Sequence, residues 1–357
     1  MSQTRILVTG GAGFIGSHYA RTLLGPLGPD DVTVTVLDAF TYAANPASLD
    51  EIRNSPRFRL VVGDICDPAV VGPLMAEHDE VVHFAAESHV DRSLTSSAEF
   101  VRTNVMGTQV LLDAALQHGI RTFVHVSTDE VYGSVPAGSS SEEQAVNPNS
   151  PYAASKAASD LLALVYHRSH GLDVRVTRCS NNYGYRQYPE KIIPLFVTRL
   201  LQGRKVPLYG DGMHVRDWLH IDDHVRGIEL VRTRGRAGEI YNIGGGTELN
   251  NRQLTARLLE ACGASWDQVE YVTDRKGHDR RYSVDWEKAH TELGYKPQKD
   301  FTEGLAETVA WYRDHRDWWD PTAATPITAA TPITAATPIT AAATTEAAEA
   351  ATGAPAC

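Results

Sequence analysis

The sequence predicts an α/β fold: a doubly wound parallel sheet followed by a smaller mixed α/β unit. Three observations carry that expectation. Apolar runs of strand length alternate with stretches of helical periodicity over the first 184 residues. A glycine triplet, Gly10, Gly13 and Gly16, sits between the first such run and the first helical pattern. Residues able to do chemistry fall where the apolar runs end, and the carboxyl ends of parallel strands are where such sheets bind ligands.

The elements follow in order. RILVT (5–9) is a short apolar run suited to a buried parallel strand. In GGAGFIG, glycines let the chain bend tightly and let a pyrophosphate approach the N-terminus of the helix begun by HYARTLL. Phe14 and Ile15 ride in the same turn. The second strand, VTVTVLD, ends in Asp38, 22 residues beyond Gly16. An acid at that offset accepts hydrogen bonds from an adenosine ribose and repels a 2′-phosphate, which predicts NAD rather than NADP. FRLVVGD (58–64) is a third strand whose end, Asp64–Ile65, can frame an adenine ring. In EVVHFAAESHVDRS, residues 81–84 are strand, and Ala85 and Ala86 are small enough for a cofactor to lie against the backbone. Residues 100–119 have helical periodicity, with Gly119 as C-cap. TFVHVS (122–127) is the next strand and delivers Thr128, Asp129 and Glu130 to its end. Tyr152 and Lys156 are four apart and share one face of a helix, where an ammonium can lower a phenol's pKa. DVRVTRCSNNYG (173–184) reads as one more strand with a polar end.

This is a Rossmann-type NAD-binding domain over residues 1–184. Residues 185–318 are read as mainly substrate-binding, with segments near 215–245 returning to the nucleotide domain. From Ala324 a six-residue unit, Thr-Pro-Ile-Thr-Ala-Ala, recurs with prolines at 326, 332 and 338. Proline at that frequency blocks helix and sheet, so 319–357 is expected to be a disordered Thr/Pro/Ala-rich tail.

Composition bounds the function. Hydrophobic residues make up 42% of 357, which is globular. The net charge of −11, with no basic run, argues against nucleic acid as a partner. No apolar stretch approaches the roughly 20 residues of a membrane span. Cys66, Cys179, Cys262 and Cys357 are scattered, without metal-ligand pairing, so no metal is expected and a cytoplasmic location is the default.

Together TGGAGFIGSH, Asp38, HFAAESHVDRS, STDEVYG, SPYAASK, RCSNNYG and PEKIIP resemble the extended short-chain dehydrogenase/reductases, and more narrowly the dTDP-glucose 4,6-dehydratase family, over about residues 4–318. The discriminating part is Thr128-Asp129-Glu130, because epimerases of this fold generally lack an adjacent acid and base there. The resemblance implies an NAD-dependent hydro-lyase acting on dTDP-glucose. It implies Tyr152 as the base at C4, Lys156 as its partner, Glu130 as the base at C5, Asp129 as the acid at C6 and Thr128 as a hydrogen-bond donor. It also implies substrate contacts from Ser88, His89, Asn181, Lys191, Arg216, Asn251, Arg275 and His278, with Pro207 and Tyr209 against the thymine. A homodimer through the helices near 100–118 and 152–169 is implied too. The rival readings are a sugar-nucleotide 4-epimerase or decarboxylase, and a non-catalytic dinucleotide sensor. One departure stands out. The family usually continues NNYG with Pro-Tyr-Gln, whereas this chain has Tyr185-Arg186-Gln187-Tyr188. Loss of the proline is expected to loosen the loop, and Arg186 to bring a charge close to the sugar.

Overall fold

The computed structural model describes residues 3–320. The predicted tail lies outside the described residues except for Trp319 and Asp320; Trp319 donates its Nε1–H to the Tyr312 carbonyl at 2.7 Å.

Twelve strands are present among the described residues: β1 (Thr4–Thr9), β2 (Val32–Asp38), β3 (Phe58–Val62), β4 (Glu80–His83), β5 (Thr122–Thr128), β6 (Val174–Cys179), β7 (Asn181–Tyr183), β8 (Val206–Tyr209), β9 (Val215–His220), β10 (Ile240–Ile243), β11 (Glu248–Asn250) and β12 (Val269–Val272). Seven form one parallel sheet in the order β10-β6-β5-β4-β1-β2-β3. The order reverses beside β1, which opens a crevice at the strand ends there.

Successive side chains of a strand point to opposite faces, and both faces of this sheet are covered. Ile6, Val8, Val34 and Val36 pack on one side beneath the helices Phe14–Leu24 and Ile221–Arg234. Leu7, Leu37, Val81 and Phe123 pack on the other, against the helices Pro68–Glu77, Thr108–His118 and Pro151–His170. This double burial explains why the strands read as continuous apolar runs. A third core, around Phe196, Trp218, Leu254 and Phe301, belongs to the second half of the chain.

Two expectations need correction. The run 173–184 is not one strand: β6 stops at Cys179, and β7 pairs in parallel with β9 in a separate three-stranded sheet, β11-β9-β7. The break at Ser180 carries the chain from the large sheet to the small one. The 100–119 helix is not uniform either. Val101–Gly107 forms a widened π-helical turn before the α-helix Thr108–His118, which ends on Gly119 at φ 69°. Such turns often mark functional sites. Here Asn104 uses the turn to grip Glu87 through both main-chain groups, at 2.9 and 3.0 Å, and to reach Ser155 Oγ at 2.8 Å. The loop after β4 is thereby tied to the Tyr152 helix. Beyond the small sheet the chain returns to the large one as β10, which pairs with β6.

Candidate active site

A continuous cavity of about 660 Å³ runs from the glycine turn after β1 to the loop after β12. Every residue singled out above as a candidate lines it.

At one end the wall is backbone. Gly10 has φ 69°, and a Cβ there would lie 2.6 Å from Ala85 Cα. A Cβ on Gly16 would lie 2.4 Å from the Gly10 carbonyl oxygen. Only glycine permits this approach of turn, helix and β4. No side chain caps the helix Phe14–Leu24, so its first N–H groups remain available for an anion. Asp38 ends β2 and is fixed by two main-chain donors, Ala12 N and Phe40 N, both at 2.8 Å. Burial nevertheless holds its carboxyl above the usual range. Asp64 accepts from Cys66 N at 2.8 Å and pairs with Arg102 at 2.7 Å, and Ile65 packs under Gly107. A turn stripped of side chains, a bare helix N-terminus and an acid at the end of β2 fit a dinucleotide. Residues Gly10, Gly13, Phe14, Ile15, Gly16, Asp38, Asp64, Ile65, Ala85 and Ala86 would hold it.

The reactive groups sit in the middle. Thr128, the last residue of β5, accepts from Glu130 N at 3.2 Å and donates to Asp129 Oδ1 at 3.3 Å. Asp129 is 3% exposed, and its second carboxylate oxygen has no protein partner. Burial pushes its carboxyl well above the ordinary value; Glu130 and Asp217 add to this, while Arg216 and Thr128 oppose it. Burial thus biases Asp129 towards its protonated form beside a second carboxyl, the arrangement an acid–base pair needs. Tyr152 and Lys156 enter from the helix Pro151–His170, which Ser150 caps by accepting from Ala153 N at 3.1 Å.

The expected acidification of Tyr152 by Lys156 does not hold for the protein alone. Burial raises the phenol, Glu130 and Cys179 raise it further, and Thr128 pulls the other way. Lys156 is itself lowered to about 8 by burial, against the pull of Asp160, and donates to the Val126 carbonyl at 2.9 Å.

The far end is built of charged and polar side chains, held partly by one another and partly by main-chain carbonyls. Lys191 donates to Ser88 O at 2.6 Å. Arg275 pairs with Asp91 at 3.1 Å, and Tyr209 donates to the same carboxylate at 3.1 Å. Arg216 is buried, lies 4.2 Å over the Tyr282 ring and donates to Val215 O at 2.7 Å and Asp279 O at 3.0 Å. Its remaining donors are available for an oxyanion. Asn181 carries a buried Oδ1 without a partner. Asn251 opens the helix Asn251–Cys262, and Pro207 lies in β8. His89 has a structural task as well: its Nδ1 accepts from Arg92 N at 3.3 Å and caps the helix Val90–Thr95. His278 donates to or accepts from Asp274 through Nδ1 at 2.7 Å.

Arg186 departs from its expected place. It pairs with Glu51 at 2.5 Å, lies 5.8 Å from the Tyr185 ring and 5.9 Å from the Trp311 ring, and does not line the cavity. Its φ of 66° turns the chain so that Gln187 and Tyr188 face the cavity instead. The extra charge thus stays off the cavity wall.

Two wall residues escape sequence reasoning. Tyr282 donates to Asp279 at 2.7 Å and approaches Glu130 Oε2 at 3.4 Å, from 152 residues away. Glu190 lies within the quoted PEK motif, yet only the fold brings it to Tyr42 at 3.4 Å and His89 at 3.8 Å.

Comparison with known proteins agrees with this fold. A family model described as GDP-mannose 4,6 dehydratase matches residues 7–308. A dTDP-glucose 4,6-dehydratase of Streptomyces griseus is 65% identical over 318 residues, covering 89% of this chain and 97% of that protein. The crystal structure of a dTDP-glucose 4,6-dehydratase from Streptomyces venezuelae, with NAD and TYD bound, superimposes with a TM-score of 0.87 at 59% identity, covering 89% of this chain and 99% of that one. A UDP-glucose 4-epimerase from Thermotoga maritima, with UDP-glucose, reaches 0.81 at 32% identity, covering 87% and 99%. The chain belongs to the GDP-mannose 4,6 dehydratase family, among its dTDP-glucose 4,6-dehydratases.

Proposed function

We propose that this chain converts dTDP-glucose into dTDP-4-keto-6-deoxyglucose and water, a hydro-lyase reaction in which NAD⁺ is not consumed. The observation that carries the reading is the buried Asp129 carboxyl adjacent to Glu130, in the same cavity as Tyr152 and the glycine cradle. NAD⁺ held by the glycine turn and Asp38 would supply a hydride acceptor for C4 and the returning hydride for C6, and its positive ring charge would favour ionised Tyr152. Tyr152 takes the C4 hydroxyl proton, with Thr128 donating to the C4 oxygen. Lys156, lowered to about 8 by burial, would support the ionised phenol with its ammonium and hold the nicotinamide ribose. The 4-ketone acidifies C5–H, and Glu130 removes that proton. Asp129 gives its proton to the departing C6 hydroxyl, which leaves as water. Glu130 then returns a proton to C5. Arg216, with Lys191 and Arg275, grips the diphosphate; a guanidinium can bind two of its oxygens at once. Pro207 and Tyr209 flank the base.

Residues 1–184 serve mainly the cofactor and 185–318 mainly the substrate, a division supported by the third core in the second half. We read the working form as a homodimer. Its support is exposed apolar side chains on two adjoining helices, Leu116 on one and Leu161 and Val165 on the other; sedimentation at a monomer's mass would overturn it. Unpaired Cys66, Cys179 and Cys262 favour the cytoplasm.

An epimerase needs no acid beside its base, so Asp129 and Glu130 together weigh against that reading. Incubation with dTDP-glucose tests the choice. A 4-keto product, absorbing in the near ultraviolet in alkali, should form without added reductant. An epimer or CO₂ in its place would sink the dehydratase reading.

A further inference from the structure

The helix Pro151–His170 carries a third ionisable residue in step with the reactive pair. Tyr152, Lys156 and Asp160 recur every four residues and so share one face. The first two line the cavity; Asp160 does not, and no part of it is exposed. Its Oδ2 accepts from Arg178 Nε at 2.9 Å, and its Oδ1 lies 3.2 Å from His125 Nε2. Arg178 is buried on β6, 4.7 Å over the Tyr132 ring, and His125 is buried on β5.

Taking two charges out of water costs about as much as their attraction returns, so a buried ion pair is weak evidence for stability. This one stands a helical turn from Lys156 and has an electrostatic consequence there. The groups facing Lys156 are Tyr152 and Asp160 on its own helix, His83 on β4, His125 on β5 and Cys179 on β6. Burial lowers His83 and His125, the latter to about 4, and raises the Tyr152 phenol and the Cys179 thiol. At neutral pH Asp160 is therefore the charged group among them. Against its burial, His125 and Arg178 hold its carboxyl below the usual range. Without that charge the interior would hold Lys156 and Arg178 as two cations. A guanidinium does not release its proton in proteins, so the lysine would release its own.

We propose that Asp160 is a positioning residue for the reaction: its carboxylate, anchored by Arg178, keeps Lys156 an ammonium while Tyr152 ionises. Asp160 acts through Lys156 and not on the substrate. The role rests on the reaction proposed above, but the charge of Lys156 can be read without it.

The first measurement is the titration of Lys156 in cofactor-free protein, by NMR of isotope-enriched lysine side chains, with its signal identified by its loss in Lys156→Met. In Asp160→Asn the midpoint should move down by about one pH unit or more. Asp160→Asn combined with Arg178→Met removes the pair without leaving a lone buried charge; it should move the midpoint the same way, and serves if the single variant does not fold. The second measurement is the rate of 4-keto product formation from dTDP-glucose against pH, whose alkaline limb should move down with the titration. A purely structural role would lower the thermal midpoint and leave both pH profiles in place. An unmoved Lys156 midpoint in a folded variant would overturn the proposal, as would a shifted midpoint with an unmoved rate profile. No 4-keto product from the wild-type protein at any pH would overturn the reaction reading, and this role with it, whatever the titration showed.

Discussion

The two ends of the cavity are made of different materials. The cofactor end is backbone and small side chains at the ends of neighbouring strands. The substrate end is charged side chains held by carboxylates and main-chain carbonyls, mostly far away in sequence, such as Arg275 by the Asp91 carboxylate and Lys191 by the Ser88 carbonyl. Main-chain positions are set by φ, ψ and strand order, so a turn of glycines suffices to define the first. Long side chains lose rotamer freedom when ordered, so the second end needs mutual pairs to stay in shape. Between them, the reactive groups draw on both: Thr128, Asp129 and Glu130 come from one strand end, but their proton affinities come from what surrounds them.

The first way to break this contrast is at its centre. Glu130→Gln should lower kcat by roughly 10²–10⁴, the usual worth of a positioned base, while NAD recovered with the protein stays at the wild-type level. Normal turnover in that variant would remove Glu130 from its role. Asp129→Asn should also lose kcat by about 10² or more, and it carries a second signature. The folded chain keeps the Asp129 proton above the pH at which an unfolded carboxyl releases it. The folded state thus binds more protons in that window, and stability falls as pH rises through the folded pKa. The variant should lose this slope, so its thermal midpoint should fall less than the wild type's between mildly acidic and alkaline pH; parallel curves would mean that Asp129 is ionised in the fold.

The substrate end should be sensitive to side-chain shape. Arg216→Lys keeps the charge but cannot span Val215 O, Asp279 O and an oxyanion together. Losing a hydrogen bond to a charged group, worth about 1.5–3 kcal/mol, should raise KM for the nucleotide sugar by roughly 10- to 100-fold with kcat little changed. An unaltered KM would place the diphosphate elsewhere. The smallest effect belongs to Arg186→Gly. Glycine relieves a left-handed residue, worth about 1 kcal/mol, and the lost pair with exposed Glu51 costs about 0–1 kcal/mol. Stability should move by less than about 1 kcal/mol and KM not at all; a KM change would return Arg186 to the sugar's neighbourhood.

How much of this was legible varied with the range of the interaction involved. The glycine turn, Asp38 at the end of β2 and the four-residue spacing of Tyr152 and Lys156 are local patterns, and local patterns survive translation into sequence. The continuous apolar run of β1 predicted a strand buried on both faces. The break at Ser180 was hidden, because a polar strand end and a change of sheet look alike in one dimension. So was the π-helical turn at Val101–Gly107, whose purpose lies in the contacts of Asn104 with Glu87 and Ser155.

By itself, then, the sequence determined the parallel sheet, the glycine turn and the side chains proposed to react, because each depends on spacing along one strand, turn or helix. The tertiary structure alone decided that burial raises the Asp129 carboxyl and the Tyr152 phenol, that Tyr282 stands beside Glu130, that Arg186 faces Glu51 and that two histidines share Asp274. Burial and long-range pairing set those properties, and neither is written in any short stretch of chain.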